Sequence, residues 1–499
     1  MLRRSALLLL ALAYESILEA QPVNPVQTAM GGAGVTVTSG IDALGINPAN
    51  LYLQTRGERF SASVWQLSAW NSSPEFTTGS SPSFTTINRD WQPWQAQTAL
   101  PVNGATFEDA KSRLFKNNRS IGVMSSASGF TPVALAWRFK GRTVAAFYTQ
   151  RVTSDSRISQ SFYQPLTPLS AGKTTSRLLE QTFRAWSELG FTFSAEHTLV
   201  TGLHANFNHL VIGFAPRLLI GGSRFDGFHR EVYSANNGGN TIARMEASQQ
   251  SAGTFTTLSQ SITQTGVAPS GFASELFSPS GIGAAFDIGF TYVMPGGEDF
   301  SLFNSNAPAG FLPGVKISAA VRDLGFLSWN NATSGTASAD SLLFAQMPAV
   351  SPWAGNAGVS AFTGAPGAFN GFLGTGATPS HQQTLTQHRE QLAPTLQTGF
   401  SASNKWITVA FEYRFRVLNM KSDQETHLFH SGVELRPFGW IPIRGGIQLQ
   451  RELPPFYSAG IGLNARWFQA DAGIMWAEDR SYTNGRRPVS LSYRFIARF

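Results

Sequence analysis

The sequence predicts an all-β protein, a transmembrane antiparallel β-barrel of about fourteen strands. Three observations lead there: an exported-type leader, a period-two alternation that recurs to the last residue, and connections whose lengths alternate with strand parity. Composition narrows the class first. The chain has 499 residues, no cysteine and 13% charged residues, where soluble domains carry about a quarter. It holds 38 Phe, 12 Trp and 10 Tyr, yet mean hydropathy is only -0.09, because Ser, Thr, Asn, Gln and 48 Gly dilute the apolar content. The missing cysteine removes disulfides, thiol nucleophiles, Cys-ligated zinc and iron–sulfur clusters. A net charge of +7 with no Lys/Arg run argues against a nucleic-acid partner.

The first element is a leader. Arg3 and Arg4 precede an apolar run from Ala6 to Ala13, and Ala20 is a small residue before Gln21, the pattern of a secretory signal peptide over residues 1–20. A membrane anchor is the other reading, but that run is far below the roughly 20 residues a spanning helix needs. No later apolar run is longer than a short strand, so any further bilayer contact falls to strands. The expected organisation is a signal peptide at 1–20, an N-terminal segment at 21–56 and an outer-membrane barrel with long extracellular loops at 57–499.

The last element carries the clearest membrane signature. From Val489 to Phe499, Val489, Leu491, Tyr493, Phe495, Ala497 and Phe499 share one face, and Ser490, Ser492, Arg494, Ile496 and Arg498 the other. Eleven residues tilted by about 40° rise roughly 28 Å, which matches an apolar band about 25 Å tall. A sandwich strand with one core face is the alternative. Trp406 to Val417 repeats the pattern, with Ile407, Val409, Phe411, Tyr413, Phe415 and Val417 opposite Thr408, Ala410, Glu412, Arg414 and Arg416. Gly281 to Met294 sets Ile282, Phe286, Ile288, Phe290 and Tyr292 against Gly283, Asp287, Gly289 and Thr291. Phe183 to Ala195 sets Leu189, Phe191 and Phe193 against Arg184, Glu188 and Thr192. Thr198 to Val211 sets Leu199, Leu203 and Phe207 against His204, Asn206 and Asn208, with His209 on the apolar face at a membrane rim.

The full set of expected strands is 57–70, 120–138, 143–152, 183–195, 198–211, 281–294, 315–329, 395–402, 406–417, 427–435, 441–450, 458–465, 468–476 and 489–499, with a break at Gly129-Phe130-Thr131-Pro132. The longest gaps, 71–119, 153–182, 212–280 and 330–394, follow odd strands. Tight turns follow even ones, at Lys140-Gly141, Glu196-His197, Ser403-Asn404-Lys405 and Arg436-Pro437-Phe438-Gly439; the connection 295–314 is the exception. Short turns on one side and long loops on the other are the habit of outer-membrane barrels. The long gaps are rich in Ser, Thr, Asn and Gly, and Phe107 to Phe115 is their best short-helix candidate. Trp329, Trp406, Trp440, Trp467 and Trp476 sit at strand ends and read as an interfacial girdle.

Met30-Gly31-Gly32-Ala33-Gly34-Val35, then Asp42-Ala43-Leu44 and Asn47-Pro48-Ala49-Asn50-Leu51, resembles the opening of FadL-type outer-membrane proteins. That resemblance implies that residues 21–56 are an N-terminal plug segment inside a fourteen-stranded barrel that carries long-chain fatty acids and other hydrophobic molecules, with Gly31, Gly32, Gly34, Asn47, Pro48 and Ala49 as the plug motif. The residues suit the role, since glycines pack closely in a lumen and Asn-Pro sets a turn. Phe115 to Arg151, Trp186-Ser187-Glu188-Leu189-Gly190 and Val321-Arg322-Asp323-Leu324-Gly325-Phe326 resemble an uncharacterised, domain-of-unknown-function branch related to FadL and to the PorV-type barrel of type IX secretion. The terminal strand ending on Phe499 resembles the signal read by barrel-assembly machinery.

Enzymatic motifs fail on inspection. Gly172-Lys173-Thr174 imitates the end of a phosphate-binding loop, but position 167 is Thr and no buried strand precedes it. Gly32-Ala33-Gly34 lacks the third glycine and the βαβ context of a dinucleotide site. His427 and His430 fall on opposite strand faces, so no metal site is expected, and neither a cofactor nor catalysis is implied. Two functions remain. One is passive passage of fatty-acid-like hydrophobic molecules through a plugged barrel, with Glu188, His204, Asn206, Asp287, Glu412, Arg414 and Arg416 facing the lumen. The other is an interaction barrel for secreted or surface proteins, with the segments 212–280 and 330–394 as docking surfaces. Outer-membrane lipids are partners in both. Glu412 and Arg414, two apart on one face, are spaced to pair with each other.

Overall fold

The computed structural model describes residues 24–53, 59–71, 121–159, 161, 173–199, 208–235, 241–254, 272–295, 314–344, 381–416, 427–450, 455–465, 467–478 and 486–499. The leader, Phe107 to Phe115, His204, Asn206 and most of the 295–314 connection lie outside these residues. Sixteen strands form one antiparallel sheet: β1 Phe60–Asn71, β2 Ile121–Phe139, β3 Arg142–Ser159, β4 Thr174–Leu199, β5 Asn208–Ala235, β6 Thr241–Ala252, β7 Gly281–Pro295, β8 Gly314–Phe344, β9 His381–Gln391, β10 Thr395–Ser403, β11 Ile407–Arg416, β12 His427–Leu435, β13 Ile443–Gln450, β14 Phe456–Asn464, β15 Phe468–Glu478 and β16 Arg486–Arg498. The sheet closes where β1 pairs with β16, Ser61 opposite Arg498 through Trp70 opposite Ser490.

Two pairs of strands each share one position around the ring. β5 pairs with β7 over its first half and with β6 over its second, and β8 pairs with β10 and then with β9. The sixteen strands therefore occupy fourteen positions, an all-β closed barrel of fourteen strands. Helix α2, Phe272–Leu276, belongs to the excursion between β6 and β7. The N-terminal segment lies inside the ring. It holds helix α1, Pro25–Ala29, and two 3-10 turns, Gly40–Ala43 and Pro48–Tyr52, all buried.

Alternation along the strands sorts the faces. Outward residues form an apolar belt, with Ile282 57%, Phe411 54% and Leu491 55% exposed, while Asp287, Glu412 and Arg494 behind them are buried. One stretch of this outer wall is hollowed, a depression of about 800 Å³ between β5 and β13 walled by Phe290, Ile317, Phe400, Phe411 and Phe429. No helix among the described residues is long and apolar enough to cross a membrane.

Several sequence expectations change. Glu196 and His197 are not a turn, because β4 runs on to Leu199 and pairs them with Val211 and Leu210. His209 faces inward with Val211 and its imidazole meets the Glu196 carboxylate, so it is not on the lipid-type face. The segment Gly129 to Pro132 bends the ladder between Phe130 and Val133 without ending β2. Trp329 is fully buried on the inner face and is no girdle residue, whereas Trp406, Trp440 and Trp467 are exposed at the short-turn end. The segments 153–182, 212–280 and 330–394 are partly strand: β3, β4, β5 and β8 continue well past the apolar belt and gain β6 and β9 as partners.

Closure has a direct test, since the chain contains no native cysteine. Ser63 and Ile496 are Cα partners across the β1–β16 seam, and their neighbours Phe60 and Phe499 exchange both backbone hydrogen bonds. The odd-numbered offset makes 63/496 a non-hydrogen-bonded pair, the closer kind. Ser63→Cys/Ile496→Cys is expected to oxidise to a single disulfide that speeds migration on a denaturing gel; an open sheet gives no such band.

Candidate functional site

The candidate site is the lumen, and its lower part is the seat of the N-terminal segment. Gly31 and Gly32 have φ of 69° and 94°, a region where a side chain is strained, and a Cβ on Gly31 would lie 2.4 Å from the Ile447 backbone nitrogen. Glycine there lets the plug backbone meet the wall. The Gly31 N–H donates to Ser458 Oγ at 2.7 Å, and that hydroxyl donates to the Ala29 carbonyl at 2.8 Å. Glu412 Oε2 accepts from the backbone N–H groups of Gly34 (2.6 Å) and Val35 (2.8 Å). His430 Nδ1 lies 2.8 Å from the Gly31 carbonyl, which can only accept, so Nδ1 carries the proton. Arg414 donates to the Gly32 carbonyl at 3.2 Å, and Arg322 to that of Gly45.

The second half of the motif is held as tightly. Asn47 donates to the Val35 carbonyl and to Thr291 Oγ1, both at 3.0 Å, and Asn50 donates to the same carbonyl at 2.7 Å. Pro48 opens its 3-10 turn, with Asn47 as the cap accepting from the Ala49 N–H. Ser194 on β4 donates to the Ala49 carbonyl at 2.8 Å. Tyr52 donates to Glu196 at 2.6 Å under the Arg138 guanidinium. Burial and the Glu196 carboxylate push the Tyr52 phenol up to about 12, so it remains a donor at any ordinary pH.

Charged residues of the inner wall form chains of alternating sign. At the short-turn end, Arg436, Glu434, Arg444, Asp471 and Arg494 lead to Asp42 of the plug, with Arg494 at 2.9 Å from Asp42 and 2.8 Å from Asp471. Higher in the barrel, Arg217 binds Glu188 at 3.0 Å, Asp287 at 2.6 Å and Asp323 at 2.7 Å, while Glu188 also takes Arg151 at 3.1 Å and the Trp186 indole N–H at 2.8 Å. Asp323 sits at φ 60°, where β8 bulges against β7.

Above that network the inner face turns apolar. Trp186, Leu219, Ala285, Leu327, Trp329 and Leu392 pack together, and the Trp329 ring reaches across β7 to Gly221, where a Cβ would meet it at 2.7 Å. A third polar layer covers this one. Arg184 grips Glu390 through Nε (2.8 Å) and Nη2 (2.8 Å) and meets Asp226 at 2.6 Å; Arg224 approaches Glu390 at 3.4 Å, and the Trp329 indole donates to Glu390 at 3.3 Å.

Of the residues read from the sequence as lumenal, Glu188 and Asp287 meet in the Arg217 network, and Glu412 and Arg414 meet at the plug, 3.6 Å apart. Arg416 ends β11 at the same inner-face parity, opposite Thr395. His427 is exposed and bonded to Tyr413, while His430 is buried against the plug. The sequence reading missed Arg217, Asp323, Glu390 and Trp329 as interior partners. Arg217 lies beyond the strand end expected at Val211, and Trp329 shares the parity of outward Ile317 until the bulge at Asp323 turns it inward, so alternation alone exposed neither.

Removing Arg217 tests the central network. Arg217→Met leaves three carboxylates without their shared cation and is expected to cost about 3–5 kcal/mol, read as a lower denaturant midpoint of the detergent-solubilised barrel. An unchanged midpoint would mean the network contributes nothing.

Among solved structures, the chain is similar to the toluene transporter TodX of Pseudomonas putida, with 10% identity over 95% of this chain and 98% of that one and a TM-score of 0.40. It is similar to the CymD monoaromatic hydrocarbon channel, with 11% identity over 96% and 97% of the two chains and a TM-score of 0.39. The translocator domain of the autotransporter NalP from Neisseria meningitidis matches at 6% identity over 89% of both chains, with a TM-score of 0.25. At these scores the likenesses imply nothing about ligand or mechanism. No curated protein matches the chain. The model of a family of unknown function, DUF5723, matches residues 78–471, most of the chain, and the protein belongs to that family.

Proposed function

We propose that this is a non-enzymatic outer-membrane barrel that captures small hydrophobic molecules at its long-strand end and passes them inward around or past the plug. The observation that carries the reading is the apolar layer of Trp186, Leu219, Leu327 and Trp329 on the inner face. A water-filled porin keeps its interior polar, so side chains of this kind facing inward are out of place unless something apolar is to meet them. They lie between two ion-paired layers, where a ligand is held from water on both sides. The outward belt of Ile282, Phe411 and Leu491 supports the membrane setting, with the exposed tryptophans at its short-turn rim and the long strands projecting outside. The strand ending on Phe499 is the element we assign to recognition by barrel-assembly machinery.

One observation favours a second reading. β4, β5 and β8 have 26, 28 and 31 residues, where a tilted strand crosses a bilayer in about 9–11. A sheet that rises so far beyond the membrane is a surface on which a secreted or surface protein can dock. Native mass spectrometry of the barrel, extracted gently from its own membrane, separates the two. A small apolar adduct that is lost in Leu327→Asn is expected for capture; a stoichiometric protein adduct in its place makes the barrel an assembly or secretion component. The membrane setting has its own check. Phe411→Arg, in the middle of β11, is expected to cost about 2–4 kcal/mol in vesicles, and a refolding titration that shows no loss would remove Phe411 from the lipid face.

A further inference from the structure

The outer polar layer joins strands that are not neighbours. Arg184 is on β4 and Glu390 on β9, with β5, the β6/β7 position and β8 between them. On a flat sheet four such steps span about 19 Å, so the sheet is curled until its inner face meets itself over the apolar layer. Below the contact, both strands on the β9 side leave regular geometry at one level. Leu392, Ala393 and Pro394 separate β9 from β10, the Leu392 N–H donating to the Gly325 carbonyl and the Ala393 carbonyl accepting from the Thr395 hydroxyl, and β8 turns through the left-handed Asp323 just before Gly325. β9 is paired with β8 alone among the described strands.

The two ion-paired layers differ in their access to water. Arg217 and Glu188 are each 1% exposed, whereas Arg184 and Glu390 keep 15% and 30%. Separating the first pair strands charge in a dry interior, which is strongly unfavourable. The second is partly reached by water, so separating it costs less than separating the first. The outer layer is therefore the one that can open, and opening it releases the Trp329 indole, which Glu390 also holds.

We propose that β9 is a strap hinged at Leu392–Pro394 and latched by Glu390 to Arg184 and Arg224, and that release of this latch admits a small apolar molecule to the layer around Trp329. What enters rests on the capture reading above; the movement rests on the latch geometry. Two measurements keep these apart. In the first, Leu327→Cys, the barrel's lone thiol, is labelled by a water-soluble maleimide with and without Glu390→Gln. The latch predicts labelling at least ten-fold faster when Glu390 is replaced, and equal rates overturn it. In the second, Arg184→Cys/Glu390→Cys is bridged by a bis-methanethiosulfonate linker that dithiothreitol removes, and loading with 1-bromonaphthalene is followed by native mass spectrometry. Linked barrels are expected to stay empty and reduced ones to load. Equal loading in both states overturns the gate. Loading in neither, with labelling still accelerated by Glu390→Gln, overturns capture of this probe and leaves the latch standing.

Discussion

Filling a barrel with its own N-terminal segment takes water from two surfaces at once, and every polar group on either surface must then find a partner within the protein. The arrangement of this lumen follows from that requirement. A plug built largely of irregular backbone presents N–H and C=O groups that no helix or sheet satisfies, and the wall answers with side chains: Glu412 for two amides, His430, Arg414 and Arg322 for carbonyls, Ser458 for one of each. The glycines at 31 and 32 belong to the same solution, because a Cβ at either would hold the backbone away from the groups that serve it. Where the wall carries charge with no plug group to meet, the charges neutralise one another in alternating chains, and one of these ends on Asp42 of the plug itself.

The lumen thus has an order along its axis: a charged seat, a tethered plug, the Arg217 network, an apolar layer and a charged cover. Each layer differs in how firmly water is excluded, and mobility should follow that difference. The plug has partners on β4, β7, β11, β12, β14 and β16, so shifting it as a body breaks many contacts together. The cover depends on fewer groups, and its Arg184 and Glu390 are partly reached by water. The passage we propose is easier to reconcile with a seated plug and a moving outer wall than with a plug that swings out.

Legibility in the sequence followed the lipid. In Ile407–Arg416 and Arg486–Arg498 one face must be apolar, so a period of two is written into the chain and the strand can be read directly. Beyond the belt neither face meets acyl chains. β9 (HQQTLTQHREQ) is polar on both sides and β6 (TIARMEASQQSA) has only Ala243, Met245 and Ala247 in alternation, so both read as loop, although the ladder carries on through them. The misplaced turn at Glu196-His197 has a related cause: apolar residues continued in alternation from Leu199 to Phe207 and extended the strand pattern across a connection. The plug motif was visible because its glycines and Asn-Pro pairs are local. The Arg217 network was not, because which arginine meets which carboxylate depends on register and bulges, and neither is encoded by parity.

The seating of the plug also dictates a sequence of events. Thr28 is bonded to Ser492 and Gly31 to Ser458, contacts between the two extremes of the chain, and β16 is the strand that seals the ring against β1. A closed ladder offers no side entrance wide enough for a folded insert. The plug residues must therefore wait, unsatisfied, until the last strands curl around them, and the seam between β1 and β16 can zip only over a lumen already occupied. Long-range closure of this kind is slow, and the N terminus acts during it as the mandrel on which the barrel is wound.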